Sequence, residues 1–564
     1  MSRVERTKTR WNGWGWTGHE DPLASKHEVW SWLASELGMP ALLATPARPL
    51  EDLSLPLSRL SEGQRRDLIA IVGSENARDD PFERAFHSLG RSYHDLLRLR
   101  AGLIESAPDL VLFPRTAQSV QSLLSYASRH RIAVVPFGGG TSVVGGVSAK
   151  GREKQQPTVT VDLTEMNRLI TVDHVARTAR AQAGIGGPTL ERALQTHGLT
   201  LGHFPQSFEF STLGGWIAHA GAGQGSNRYG RVEDWLVGLE LATPRGVLTT
   251  KAVPATSAGP NLTNLVVGSE GTFGIITEAT IRVRRIPKVR TYCAYLFRDF
   301  ERGQIAIRRA VQEEIPVTML RLSDAEETRF YRALSSAGEL PGLRNRVERA
   351  YLQARGIGQN ACALIAGFEG EHSEVTLARR HFDAIAAQER AVSVGEGPGR
   401  RWLAGRFHGP YLRDPLMDRG VGVDTLETAT SWHNLGSLYV SIRNALFGSI
   451  KATLPRADAK PIVMCHVSHS YRDGASLYFT YIFPRALEHE IGQWQAIKKA
   501  ATETIVANGG ALSHHHGVGE DHLPWMLREK SPLGIDVLWA IKVALDPNEI
   551  LNPGKLIPPL GGNE

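Results

Sequence analysis

The sequence has few cysteines and no long apolar run. Both features limit the classes of protein to which it can belong. Its three cysteines, Cys293, Cys362 and Cys465, are far apart and form neither a disulfide framework nor a metal-ligand spacing, which suits a reducing compartment. The opening residues, MSRVERTKTRWNGWGW, contain no apolar segment of the secretory kind. No run approaches the roughly 18 apolar residues of a membrane span. We therefore expect a cytoplasmic protein whose membrane contact, if any, is peripheral.

Charge of one sign is not concentrated anywhere in the chain. The 64 lysines and arginines exceed the 58 aspartates and glutamates by six, and no dense basic block with interleaved aromatics occurs. This distribution weighs against a nucleic-acid partner, whereas the mild basic excess suits an anionic substrate or a membrane surface. The 564 residues are too many for one hydrophobic core and predict at least two domains.

Strand and helix patterns alternate from about Pro108 to Pro287. Strands are predicted at 109–114, 132–136, 158–163 and 178–183, with helices at 116–130 and 188–196. This alternation predicts an α/β domain at 106–289. Residues 290–500 read as an α+β domain, 1–105 as a helical N-terminal region and 501–564 as a helical C-terminal segment. The last segment carries the triplet His514–His516, which we expect to complete an active site.

Glycine-rich loops suggest a large bound cofactor. The apolar strand before Pro136 runs directly into Phe137-Gly138-Gly139-Gly140-Thr141-Ser142, where exposed amides without Cβ atoms suit a diphosphate. No Gly-Lys-Ser/Thr follows, so this is not a Walker loop, and Gly184–Gly187 lacks the Rossmann spacing. Further loops at 210–216, 220–223 and 268–278 indicate a ligand held by backbone along its length. FAD fits this pattern better than a mononucleotide.

These loops resemble the FAD-binding domain of the vanillyl-alcohol oxidase / para-cresol methylhydroxylase (PCMH) superfamily, and the resemblance extends over nearly the whole chain. It implies a PCMH-type FAD-binding domain followed by an α+β cap domain. Because the first loop contains no histidine, the resemblance implies noncovalent FAD. The residues that it places at the cofactor are Pro136, Phe137, Gly138, Gly139, Gly140, Thr141, Ser142, His203, Gln206, Ser207, Phe208, Glu209, Phe210, Ser211, Thr212, His219, Ala220, Gly221, Ala222, Glu270, Gly271, Thr272, Phe273, Gly274, Ile275 and Ile276.

Further motifs are similar to the alkyldihydroxyacetonephosphate synthase family within that superfamily. They are Arg10–Trp16, Gly202–Ser207, Tyr411–Asp414, Gly474–Phe479 and Ser513–Gly519. The resemblance implies a transferase of ether lipid biosynthesis that exchanges the acyl chain of acyl-dihydroxyacetone phosphate for a long-chain fatty alcohol. It also implies a covalent flavin–substrate intermediate without net redox change, lipid substrates with a peripheral membrane contact, and a homodimer.

The same resemblance assigns roles to polar residues in the second half of the chain. Tyr478 is the implied proton donor and acceptor, and nearby cations would be needed to favour its anion. Arg413 is the implied substrate-binding arginine, because its planar fork suits phosphate or carboxylate. The remaining implied catalytic residues are Arg321, His514, His515 and His516.

Other interpretations of these residues stay open. Without the resemblance, Tyr478 in an apolar strand would be read as core packing, and a lone arginine as a surface ion pair. The three histidines could be structural or could bind a metal ion, but consecutive histidines do not easily converge on one ion, so we expect no metal.

The sequence also departs from the family pattern. The family tends to have Arg-Val-Thr-Gln-Thr-Tyr where this chain has His466-Val467-Ser468-His469-Ser470-Tyr471, and Thr425 stands where a serine is common. These changes leave the exact substrate open. An FAD-dependent 2-hydroxy acid dehydrogenase or oxidase is the main alternative, and a lipid- or flavin-binding protein without catalysis is another.

Overall fold

The strands of this protein form two groups on either side of residue 288. The computed structural model describes residues 6–18, 26–153, 155–336 and 352–559. Parts of the predicted terminal regions, at 1–5, 19–25 and 560–564, lie outside the described residues. The strands are β1 (Ala77–Arg78), β2 (Leu110–Leu112), β3 (Ala133–Phe137), β4 (Thr158–Asp162), β5 (Leu169–Asp173), β6 (Thr178–Gln182), β7 (Leu199–Thr200), β8 (Leu236–Thr243), β9 (Gly246–Thr249), β10 (Ile275–Arg282), β11 (Arg284–Arg285), β12 (Val289–Phe297), β13 (Met319–Ser323), β14 (Cys362–Gly370), β15 (Val392–Gly395), β16 (Val421–Ser431), β17 (Ile462–Ser470) and β18 (Gly474–Pro484).

Helices lie before, between and after these strands. Several begin with a side-chain cap, as where the Thr116 hydroxyl accepts from the amide of Ser119. The helices are α1 (His27–Glu36), α2 (Glu62–Val72), α3 (Pro81–Phe86), α4 (Tyr93–Ala101), α5 (Ala117–Arg129), α6 (Gly187–Gln195), α7 (Leu213–Ala218), α8 (Ser226–Tyr229), α9 (Val232–Trp235), α10 (Leu262–Val266), α11 (Phe300–Gln312), α12 (Ala325–Ser336), α13 (His372–Gln388), α14 (Gly397–Gly405), α15 (Arg413–Met417), α16 (Leu435–Thr453), α17 (Glu490–Ala507) and α18 (Met526–Leu545).

The first group of strands contains two main sheets. One has the order β1-β2-β4-β3, in which β2, β4 and β3 are parallel. The other is antiparallel with the order β5-β6-β10-β8-β9. Buried apolar residues of both sheets pack in a single cluster with helix α5 and with the C-terminal helix α18.

The second group is one antiparallel sheet of seven strands with the order β15-β12-β14-β13-β17-β18-β16. Helices α11, α13, α16 and α17 cover it with stripes of buried side chains, such as Leu438, Ile442, Leu446 and Ile450 of α16. These positions recur every three to four residues, as expected for one face of an amphipathic helix.

The register of this sheet places polar residues in one row across adjacent strands. Tyr478 of β18 lies opposite Glu427 of β16 on one side and opposite His466 of β17 on the other. His466 in turn lies opposite Ser323 at the end of β13. Directly opposed residues project from the same face of a sheet, so this row presents a continuous polar strip.

The two ends of the chain connect the two groups of strands. Near the N-terminus, Trp14 and Trp16 contact Phe210 at ring-centroid distances of 6.3 and 5.6 Å. Near the C-terminus, the chain returns to the parallel sheet, where the amide of Val134 donates to the carbonyl of Ile550 over 2.8 Å. Trp11 and Trp14 are buried, so these N-terminal tryptophans pack inside the protein.

Most of the predicted local elements agree with the structure within a few residues. The helix expected at 116–130 is α5, the one expected at 188–196 is α6, and the strand expected at 109–114 is the shorter β2. Within the described ranges, no helix combines the length and the apolar character needed to cross a bilayer.

Candidate active site

Tyr478 lies at the centre of a cluster of aromatic and imidazole rings. His466 stacks on it with a centroid distance of 5.0 Å and an interplanar angle of 20°. His515 and His516 of the C-terminal loop also lie near it, with centroids 6.1 and 5.5 Å away. The structure therefore brings together Tyr478 and the histidine triplet, which are separated by 35 residues in the sequence.

The Tyr478 phenol is neutral in the resting protein. Burial raises its pKa above the usual value, although a hydrogen bond with Thr425 and the charge of Arg413 act in the opposite direction. Arg413 is thus a nearby cation that favours the anion, but burial outweighs its effect. A neutral phenol can donate a proton directly, and it can accept one only after its own proton has moved to a neighbour.

Arg321 approaches Tyr478 by way of His466, whose Nδ1 lies 3.1 Å from the guanidinium. One oxygen of Glu327 accepts from the Arg321 guanidinium over 2.9 Å, and the same oxygen lies 2.9 Å from Nδ1 of His466. Burial alone would raise the pKa of Glu327, but Arg321 and His466 lower it to about 2. Glu327 thus stays ionised and orients both partners, and Arg321 lies behind His466 rather than against the tyrosine.

A buried carboxylate, Glu427, organises the histidine loop. It accepts hydrogen bonds from the Ser513 hydroxyl at 2.8 Å and from the backbone amides of His514, His515 and His516 at 2.8, 3.0 and 2.9 Å. Burial by itself would raise its pKa, but these histidines and their hydrogen bonds reverse the effect, so the pKa lies well below the usual value. A single ionised side chain therefore determines the turn of the loop.

Two imidazoles of this loop, those of His514 and His516, are neutral. Burial lowers the pKa of His516 to about 3 and that of His514 well below its ordinary value. Nε2 of His514 lies 2.5 Å from the Tyr471 hydroxyl, and its Nδ1 lies 2.9 Å from Nδ1 of His515. The backbone amides of the loop also donate to Glu427, and such bonds favour its ionised form.

Arg413 begins helix α15 and faces the same cluster. Its guanidinium is buried and donates to the carbonyl of Arg91 over 2.8 Å, and its charge lowers the pKa of Tyr478. The neighbouring Asp414 accepts from the amide of Trp14 over 2.8 Å and from Arg10 over 3.1 Å. The N-terminal Trp motif and the Arg413 motif are therefore adjacent in space.

The predicted cofactor loops are contiguous. A Cβ atom on Gly139 would lie 2.0 Å from the carbonyl oxygen of Phe210, and one on Gly271 would lie 2.8 Å from Pro136. Loop 136–142 therefore touches both loop 206–212 and loop 270–276, with no room for side chains between them. Within loop 206–212, however, Gln206 donates to the carbonyl of Arg406 and Phe208 stacks on Phe407, so these two side chains contact the cap region.

The histidine loop joins this group of loops through Glu270. Its carboxylate accepts from the amides of Val518 and Gly519 over 2.5 and 2.8 Å. Asn552 donates to the carbonyls of Glu270 and Gly146 over 2.7 and 2.9 Å. The segment 513–519 is therefore bonded at one end to the seven-stranded sheet through Glu427 and at the other end to the glycine loops.

Buried polar atoms in these loops suit a polar cofactor. Among the described residues, neither nitrogen of His203 has a hydrogen-bond partner, nor does Nδ1 of His219. His203 is 2% exposed and lies between Trp216 and Trp235. Buried polar groups are rarely left unsatisfied, so the loops have both the free donors and the side-chain-free backbone that FAD requires.

Comparisons with protein families agree with this arrangement. Residues 108–251 match the family described as FAD binding domain, and residues 286–556 match FAD linked oxidases, C-terminal domain. The fold and the site thus define an FAD-dependent flavoprotein of the FAD-linked oxidase class. The predicted combination of an α/β FAD-binding domain with an α+β cap is confirmed, and so is FAD as the cofactor.

Full-length relatives narrow this class to one family. The chain is 34% identical to the alkyldihydroxyacetonephosphate synthase of Dictyostelium discoideum, over 97% of this chain and 93% of the relative. A solved structure of an alkyldihydroxyacetonephosphate synthase matches with a TM-score of 0.84 and 31% identity, over 98% of this chain and 99% of the other. p-Cresol methylhydroxylase shares the fold, with a TM-score of 0.67 and 16% identity over 88% and 98% of the two chains. The chain belongs to the alkyldihydroxyacetonephosphate synthase family.

The sequence reasoning missed several residues of the site. Glu427 and Glu327 carry no recognisable motif, and the signal available for Glu427 was a carboxylate inside the otherwise strand-like run Val421–Ser431. His466 and His469 were noted only as departures from the family pattern. Their proximity to Tyr478 and to the histidine triplet follows from strand pairing and loop packing.

Replacing Gly139 by alanine tests the cofactor loops. The added methyl group would meet the Phe210 carbonyl, and relieving such a clash costs about 1–3 kcal/mol, so we expect FAD affinity to fall about tenfold or more. The flavin-to-protein absorbance ratio after gel filtration measures this. Gly436→Ala in helix α16, where a Cβ meets nothing within 4 Å, is the matched control and should retain FAD. Equal retention by both variants would contradict the assignment of these loops.

Replacing Glu427 by glutamine tests the organisation of the histidine loop. Losing the charge leaves several buried donors poorly satisfied, so we expect a loss of about 1–3 kcal/mol in stability and faster amide exchange at 513–519. Hydrogen exchange by mass spectrometry measures the second effect. The control is Glu313→Gln, which removes an ion-pair partner that is 53% exposed. It should change neither the stability nor the amide exchange at 513–519. Unchanged exchange at 513–519 would show that Glu427 does not hold the loop.

Proposed function

We propose that this protein is an FAD-dependent transferase that replaces the acyl chain of 1-acyl-dihydroxyacetone phosphate with a long-chain fatty alcohol, forming alkyl-dihydroxyacetone phosphate. The observation that carries this proposal is the convergence of Tyr478, Arg413 and the histidine triplet beside the glycine loops. These groups suit a substrate that is anionic and carries an exchangeable proton. The family assignment supports the same substrates.

Arg413 is the proposed anchor for the anionic group of the substrate. Its guanidinium is 8% exposed and is fixed by the bond to the Arg91 carbonyl. A fixed planar fork binds phosphate or carboxylate in one orientation, which would place the reacting carbon at a constant distance from Tyr478.

Tyr478 is the proposed group that exchanges a proton with the substrate carbon between the ketone and the ester oxygen. Because its phenol is neutral at rest, it can take that proton only after passing its own to a neighbour. The imidazoles of His466 and His515 lie against its ring and are the proposed acceptors. Arg321 would act by positioning His466 against the ring.

The proposed FAD is noncovalent, because loop 136–142 contains neither histidine nor cysteine. The glycine loops, His203 and His219 would hold it. When bound, FAD supplies an electrophilic ring that permits exchange of the ester chain without net oxidation or reduction. A dehydrogenase or oxidase of 2-hydroxy acids would use the same loops but would leave the flavin reduced.

Product analysis distinguishes these two activities. We expect the purified flavoprotein to convert palmitoyl-dihydroxyacetone phosphate and hexadecanol into the alkyl ether, detected by mass spectrometry, and D-lactate or glycolate to leave its flavin oxidised. Tyr478→Phe should retain FAD but lose about 10²–10⁴-fold in rate, the usual contribution of a general acid–base group. Absence of the ether together with flavin reduction by a 2-hydroxy acid would overturn the proposal in favour of the alternative. Full activity of Tyr478→Phe would show that Tyr478 does not act as the acid–base group.

We also propose that the protein acts in the cytoplasm as a homodimer that touches membranes peripherally, as lipid substrates require. Helix α16 supports the contact, because Val440 and Phe447 are 53% and 41% exposed and lie two turns apart on one face with the exposed Lys451. Flotation with anionic vesicles should recover the wild type and less of Phe447→Ser. The control Val175→Ser, at a 98% exposed loop residue, should float like the wild type. Equal flotation of all three proteins would contradict a contact through α16.

A further inference from the structure

Three imidazole rings from two distant segments form a nearly equilateral triangle. The centroids of His469 and His514 are 5.0 Å apart, those of His469 and His515 are 5.3 Å apart, and those of His514 and His515 are 5.1 Å apart. One nitrogen of each ring lies within 4.8 Å of the other two. His469 and His514 are buried, so the triangle is largely shielded from water.

These separations match three histidines around one metal ion. With metal–nitrogen bonds of about 2.0–2.1 Å and tetrahedral angles, neighbouring imidazole centroids are about 5 Å apart. The neighbouring nitrogens are then roughly 3–3.5 Å apart, and the two Nδ1 atoms of His514 and His515 lie 2.9 Å apart. Consecutive histidines therefore do converge here, because the bonds to Glu427 turn the loop and direct both rings to the same point.

The second nitrogens of two of these rings have fixed partners. Nε2 of His469 lies 3.2 Å from the carbonyl oxygen of Gly223, and Nε2 of His514 lies 2.5 Å from the Tyr471 hydroxyl. Metal-binding histidines typically use the nitrogen opposite the metal in this way, which fixes the ring orientation and the tautomer. In His469 the carbonyl can only accept, so Nε2 carries the proton. The lone pair of Nδ1 accepts from the Ser468 hydroxyl over 2.9 Å, a bond that a metal ion would replace.

The local charge also permits a cation. The Glu427 carboxylate lies 3.5 Å from Nδ1 of His515 and 3.9 Å from Nδ1 of His514. Arg231, whose guanidinium donates to the Ala220 carbonyl over 2.8 Å, carries the opposite charge.

We propose that His469, His514 and His515 form a binding site for one divalent transition metal of the zinc class, with a fourth position for water or a substrate oxygen. Imidazole ligands favour zinc and its neighbours over calcium or magnesium. His469 comes from strand β17, whereas His514 and His515 come from the loop that follows helix α17. His516 lies outside the triangle and remains available to Tyr478. The proposal does not depend on the proposed transferase activity.

Metal analysis of the holoenzyme tests this site. The protein, prepared without a histidine tag, is incubated with ZnCl₂, desalted and analysed by plasma mass spectrometry. We expect about one zinc per chain in the wild type and in His516→Gln, and a loss of most of that zinc in His469→Gln and His515→Gln. When Co²⁺ replaces zinc, the wild type should show visible d–d bands at wavelengths beyond the flavin absorption. His469→Gln should not show them.

The flavin-to-protein ratio and the circular dichroism spectrum establish that each variant is folded. Wild-type protein that retains no zinc after desalting would overturn the proposal, and so would equal retention by His469→Gln. Zinc binding without ether formation would contradict the proposed function while leaving the metal site intact.

Discussion

The antiparallel register of β16, β18 and β17 is the constraint on which the rest of the site depends. It places Glu427, Tyr478 and His466 directly opposite one another on one face of the seven-stranded sheet. A shift by one residue would turn every side chain of a strand to the other face. The buried apolar residues that alternate with these polar ones, such as Leu477 and Phe479, oppose any such shift. The same alternation that builds the core therefore builds the polar row.

A buried carboxylate lies at each end of this row of polar residues, and each of the two binds different partners. Glu327 orients His466 and Arg321, whereas Glu427 gathers the amides of the histidine loop. The far end of that loop is bonded to Glu270 among the glycine loops. Segment 513–519 thus links the cap sheet to the cofactor loops, and the position of Tyr478 relative to bound FAD depends on two buried carboxylates. Such groups are costly to leave unpaired, which makes this linkage rigid.

Local features of the chain were predictable because their causes are local. Helix α5 follows from its apolar spacing and its threonine cap, and the glycine loops follow from the backbone approach that a diphosphate needs. Glu427 was not predictable in the same way, because its partners are 86 to 89 residues away in the chain. The state of Tyr478 also required the structure, since burial and nearby cations act on its pKa in opposite directions. The convergence of His514 and His515 depends in turn on Glu427.

The central claim is that the polar row and FAD act together on an acylated ketone phosphate. The most direct measurement is the flavin absorption spectrum under anaerobic conditions, first with palmitoyl-dihydroxyacetone phosphate and then with hexadecanol. We expect the flavin band to bleach when the ketone phosphate is added and to return when the alcohol follows. A spectrum that stays unchanged through both additions would contradict it.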